Sequence, residues 1–125
     1  MSADLDPKLR AALRLEGLST AIVGMTGAWI CSATWWQVAI FAMAPDLSML
    51  GYVLGPRYGA WMYNIAHTYT LPLLLLAFGW LIGPSLLPIA CIWLTHIGVD
   101  RALGFGMKSE AGFSMTHLGP IGRAG

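Results

Sequence analysis

Asp46, His67, His96 and Asp100 stand out among the residues whose types can hold a metal ion or move a proton. All four fall within apolar stretches, where an ionisable group is costly and calls for a partner or a task. Two imidazoles and two carboxylates form a ligand set suited to zinc, iron or manganese. His96 and Asp100 are four residues apart and share one face of a helix, and Asn64 and His67, three apart, share a face too. Asp46 follows Pro45. A proline removes one helix hydrogen bond, here freeing the carbonyl of Phe41, and a broken helix beside an acid is a way to build a polar site within a membrane. Around this group, Asp46, Asn64 and Glu16 are the candidate catalytic residues. Glu16 or His117 can complete a metal shell or serve as a base, and Arg57 and Arg101 are candidates to meet a phosphate or carboxylate on a substrate.

Two other readings compete. His67 and His96 can be axial ligands of a haem or related tetrapyrrole. Alternatively the cluster is structural, with Arg101 neutralising Asp46 and with Asn64 and the histidines joining helices by hydrogen bonds.

The elements that must carry these residues follow from composition and hydropathy. The chain has 125 residues, 57% hydrophobic and only 10% charged. A soluble domain carries about 25% charged residues, so this chain cannot cover a water-facing surface. Its net charge of +1 offers nothing for nucleic acid. The expected fold is all-α: a single membrane domain, a four-helix bundle with an amphipathic N-terminal helix. That helix runs from Asp6, a suitable cap, through Pro7 to Glu16. The spans are expected at about 15–30, 35–55, 60–81 and 84–103, followed by an interfacial tail over 104–125. The connections at Ser32–Thr34, Gly55–Gly59 and Ile82–Pro84 are tight, so neighbouring helices are antiparallel. Pro72 is expected to kink the third span, and Gly104 to end the fourth. Cys31 and Cys91 lie in apolar runs without metal or disulfide spacing and read as packing residues.

Orientation rests on the seven basic residues. Lys8, Arg10, Arg14, Arg57, Arg101, Lys108 and Arg123 all fall on the side that holds both termini and the Gly55 turn. The positive-inside rule makes that side cytoplasmic. Counted from the turns, the polar residues fall in the cytoplasmic half of the bilayer.

The segments LRLEG at Leu13, PDLSMLGY at Pro45, GPRYGAWMYNIAHTY at Gly55, HIGVDRALGFGMK at His96 and THLG at Thr116 carry a resemblance. Taken together, the chain from Leu13 to Gly119 resembles a family of short bacterial integral membrane proteins catalogued as a domain of unknown function. The resemblance implies a four-helix protein of the bacterial inner membrane and no activity. Pro45-Asp46 and His67 are also similar to the Pro-Asp pair and histidines of membrane-bound metal-dependent hydrolases, although the fuller His-rich signature of those enzymes is missing here.

The functional expectation is a small membrane protein with a His/Asp pocket in the cytoplasmic leaflet, a metal-dependent enzyme acting on a lipid or other apolar substrate. The alternatives are a non-catalytic subunit or assembly factor of a larger membrane complex, and a tetrapyrrole-binding membrane protein. The expected partners are the bilayer itself and, beyond it, further copies of the chain or a larger membrane complex.

Overall fold

A computed structural model describes residues 6–106 and the tail segments 108–109, 112–116 and 119–120. Among the described residues, five α-helices and two 3-10 segments make four helical units. The first unit is one continuous helix, α1 (Pro7–Ile30). Asp6 caps it by accepting from the Lys8 amide at 2.9 Å, and Pro7 occupies the first position, where its missing N–H costs nothing. The amphipathic segment and the expected first span (15–30) are therefore a single element, and it is not among the three described units long and apolar enough to cross a membrane. At 24 residues it is about 36 Å long.

The second unit joins α2 (Trp35–Met43) to a 3-10 helix, Ala44–Leu54. Thr34 and Gln37 form a reciprocal capping box at its start. The change from i−4 to i−3 bonding falls at Pro45, the residue that has no N–H to give. The third unit joins α3 (Pro56–His67) to α4 (Thr70–Ile82). The break is at Thr68, which is extended (φ −95°, ψ 150°). Thr68 lies four residues before Pro72, whose ring excludes the i−4 carbonyl of a helix. The expected kink is there, with Pro72 inside the new helix. The last unit is a 3-10 turn, Pro84–Leu86, leading into α5 (Leu87–Leu103). Gly104 ends it in the left-handed region (φ 94°), and the Phe105 amide returns to the Asp100 carbonyl at 2.8 Å.

The second, third and fourth units, Trp35–Leu54, Pro56–Ile82 and Pro84–Leu103, are long and apolar enough to cross a membrane. One expected boundary moves. The third span begins at Pro56 rather than near residue 60, because Gly55 alone makes the turn (φ 118°, ψ 165°) and Pro56 is a ready first residue for a helix.

The most extensive helix contact is α1 against α5. Within lipid, apolar side chains gain little by meeting one another, and close backbone approach takes over. α1 buries Gly17, Ala21, Gly24 and Ala28, a stripe of small residues at helical spacing. It meets Gly98, where an added Cβ would lie 2.5 Å from the Ala21 nitrogen and 2.6 Å from the Gly17 carbonyl oxygen. Arg14 Nε crosses to the Ala102 carbonyl at 2.8 Å and closes the α5 terminus.

The tail adds a small antiparallel ribbon, β1 (Lys108–Ser109), β2 (Gly112–Thr116) and β3 (Gly119–Pro120), set against α3. His117 lies outside the described residues.

Candidate metal centre

The two breaks and α5 converge. Asp46 stands just past the α-to-3-10 transition, His67 is the last residue of α3, and His96 and Asp100 lie one turn apart on α5. One ligand atom from each of the four falls within 4.8 Å of every other. His67 Nε2 is 3.3 Å from Asp46 Oδ1 and 3.5 Å from Asp100 Oδ2. His96 Nε2 is 3.2 Å from Asp46 Oδ1 and 3.3 Å from Asp100 Oδ2. The two Nε2 atoms are 3.2 Å apart. Counted along the helices at about 1.5 Å per residue, His96 is about 10 Å from the α5 terminus and His67 about 16 Å from the Pro56 end.

These separations have a simple meaning. A tetrahedral ion with bonds of about 2.0–2.1 Å holds its ligands about 3.3–3.4 Å apart. Five of the six edges here are 3.2–3.5 Å.

Proton placement agrees. His67 Nδ1 lies 2.9 Å from the Tyr63 carbonyl, and His96 Nδ1 lies 2.5 Å from the Ala42 carbonyl. A carbonyl only accepts, so each Nδ1 is the donor. A neutral imidazole then turns a lone pair at Nε2 toward the centre. Two lone pairs and two carboxylates face one point, an arrangement of acceptors that a divalent cation satisfies. Backbone partners behind the ligating rings are the usual support of metal-bound histidine.

The Ala42 carbonyl is available because of the local sequence. Pro45 has no N–H, and the step to i−3 bonding leaves Ala42 for His96. The carbonyl put to use is thus Ala42, and not Phe41 as a purely α-helical count gives. The break in the third unit works likewise. Trp93 Nε1 donates to the Ala66 carbonyl at 2.7 Å, and Arg101 Nη2 donates to the His67 carbonyl at 2.8 Å. Tyr63 stacks flat on His67, with ring centroids 3.8 Å apart and planes 6° apart. Sequence reasoning missed Tyr63, Trp93 and the Ala42 carbonyl. Only Tyr63 left a signal, its i, i+4 spacing from His67.

Asn64 is half-buried on α3, nearly a turn before His67. Glu16 is exposed on α1 and is not among the four that converge. Arg57 is exposed in the first turn of α3, about 15 Å along the helix from His67. Arg101 is buried, 7% exposed. Its hydrogen bonds run to backbone, to His67 and, at 3.5 Å, to the Phe105 carbonyl, and its guanidinium lies 5.7 Å from the centre of the Tyr69 ring. The Asp46 and Asp100 carboxylates lie against the histidine Nε2 atoms, and Arg101 spends its hydrogen bonds on backbone carbonyls, so the expected Arg101–Asp46 neutralisation gains no support. The tetrapyrrole reading lacks room. The two Nε2 atoms stand 3.2 Å apart, closer than two bonds of about 2 Å in line through a haem iron require.

The arrangement is thus a preformed His/Asp group able to hold a metal ion, gathered from three helical units at the points where two of them break. No curated protein and no solved structure matches the chain. A family model matches residues 10–121, nearly the whole chain, and its description is Domain of unknown function (DUF4260). The chain belongs to that family.

Proposed function

We propose that this protein is a membrane metalloenzyme of the bacterial inner membrane, in which Asp46, His67, His96 and Asp100 bind one divalent transition metal, zinc by preference, to act on a lipid or other apolar substrate. The observation that carries the reading is the near-tetrahedral set of 3.2–3.5 Å separations among two imidazole Nε2 atoms and two carboxylates. Magnesium and calcium take oxygen ligands, so two imidazoles argue against them. Zinc fits a four-fold shell of this size, with iron and manganese as the competing ions.

Exposure supports a working site over a sealed staple. His67 is 2% exposed and anchors the group, while the Asp46 side chain is 40% exposed and leaves one flank open. Asp46 is thus the ligand with freedom to loosen and handle a proton. Asn64 sits close along α3 to orient groups near His67, and Arg57, exposed in the first turn of α3, is the cation proposed to receive a charged headgroup, while Arg101 is committed to the His67 carbonyl. The pocket is proposed to face the cytoplasmic leaflet with both termini cytoplasmic, on the strength of the basic residues.

One observation favours a second reading. Four protein ligands fill a tetrahedron, as structural zinc sites do, so the ion can instead lock the helices of a non-catalytic subunit or assembly factor. Metal analysis of the purified protein together with single variants tests the proposal. One equivalent of metal is expected, lost in His67→Ala, His96→Ala and Asp46→Asn while the protein still accumulates in the membrane. Full metal content in all three variants refutes it, and so does a Soret band.

A further inference from the structure

A cavity of about 250 Å³ adjoins the centre on one side, between α1, α2 and α5. His96 and Asp100 form one wall. Ala28 and Ile92, both buried, form the floor, and the exposed Met25, Val38 and Val99 stand at the rim. The remaining lining is equally apolar but for Thr95, whose hydroxyl already donates to the Cys91 carbonyl at 2.8 Å. No charged group other than the ligand Asp100 lines it.

We infer that this cavity is the substrate pocket of the proposed metal site and admits one unbranched acyl or alkyl chain, laterally from the lipid, so that a polar head at the end of the chain reaches the metal past His96 and Asp100. The inference rests on the metal reading and deepens it by naming a substrate class. Size sets the chain. Taking about 30 Å³ per methylene-sized group, as for a water molecule, the cavity holds roughly eight. A longer single chain trails out past Met25 and Val38 into the bilayer. The chemistry of the lining gives the polarity. The pocket offers nothing to a polar body, while the two ligands stand ready for a polar end group, which suits a carboxylate, an ester or an amide carried on a chain.

The test loads the detergent-solubilised protein with Co²⁺, whose visible bands report on its ligands, and titrates it with straight-chain hydroxamic acids from two to eight carbons. Octanohydroxamate is expected to shift the cobalt bands at a concentration at least tenfold lower than acetohydroxamate. Val38→Trp at the rim and Ala28→Phe at the floor are expected to bind cobalt as the wild type does and to reduce that preference below threefold. Val38 is exposed, so its variant keeps the test alive if Ala28→Phe fails to accumulate. A preference that survives Val38→Trp reflects partition of the longer chain into the micelle and overturns the inference, as does a wild type without chain-length preference. Failure of cobalt to bind at all is a separate result, which removes the metal reading itself and this inference with it.

Discussion

Replacing Pro45 with alanine tests how the sequence builds the site. Alanine supplies the missing N–H, and α2 can then continue with i−4 bonds through residue 46. Two things follow. The Asp46 amide takes the Ala42 carbonyl, which His96 Nδ1 now holds at 2.5 Å, so the ring of His96 loses the partner that fixes its tautomer and angle. The residues past Ala44 also turn by about 100° each instead of about 120°. Over two residues this swings Asp46 by about 40°, enough to carry its carboxylate off the centre. Loss of a supporting partner alone weakens metal binding about 10–100-fold, which is about 1.4–2.8 kcal/mol. Stability moves the other way, because the helix regains a hydrogen bond and loses a breaker. A competition titration against a chromophoric zinc chelator in detergent measures the affinity, and thermal denaturation of the apo-protein measures stability. Affinity in Pro45→Ala within threefold of the wild type refutes the reasoning. So does a fall in affinity accompanied by an equal fall in apo stability, since that outcome describes a damaged fold.

Gly98→Val forces a side chain against the backbone of Ala21 and Gly17. It is expected to cost about 1–3 kcal/mol, read as a lower midpoint of thermal denaturation in detergent. Arg101→Met leaves the buried His67 carbonyl without its donor. A loss of about 1–3 kcal/mol is expected with one equivalent of metal retained, and loss of metal at unchanged stability contradicts the role described for Arg101. Reporter fusions at both termini are expected to give cytoplasmic signals, and a periplasmic signal from either end contradicts the four-span topology.

The helical frame was largely legible in the sequence because lipid imposes hard rules. A span needs about 20 apolar residues with its backbone bonded internally, so the three units Trp35–Leu54, Pro56–Ile82 and Pro84–Leu103 announce themselves, while α1 mixes polar with apolar residues and does not. The turns at Thr34, Gly55 and Gly83 carry the residues such turns require. The ligand types were legible for the same reason, since a charge in an apolar run stands out. Less visible was the means by which they meet. Pro45 and Pro72 mark breaks, but which carbonyl each break releases depends on a change of helix type that composition does not encode. The Gly17–Ala21–Gly24–Ala28 stripe shows its packing role only in the structure, because glycine and alanine in an apolar helix carry no signal of the partner they approach. The grouping of Arg57, Arg101 and Glu16 with the site came from their expected depth on the cytoplasmic side, counted from the turns. In space Arg101 serves the backbone at His67, and Glu16 faces outward on α1.

X-ray absorption at the zinc edge of the purified, zinc-loaded protein tests the central claim most directly. The expected first shell is four light atoms at about 2.0–2.1 Å, with the multiple-scattering features of two imidazoles, reduced to one in His96→Ala. A sulfur shell, a shell without imidazole, or no stoichiometric metal at all contradicts the assignment of Asp46, His67, His96 and Asp100 as its ligands.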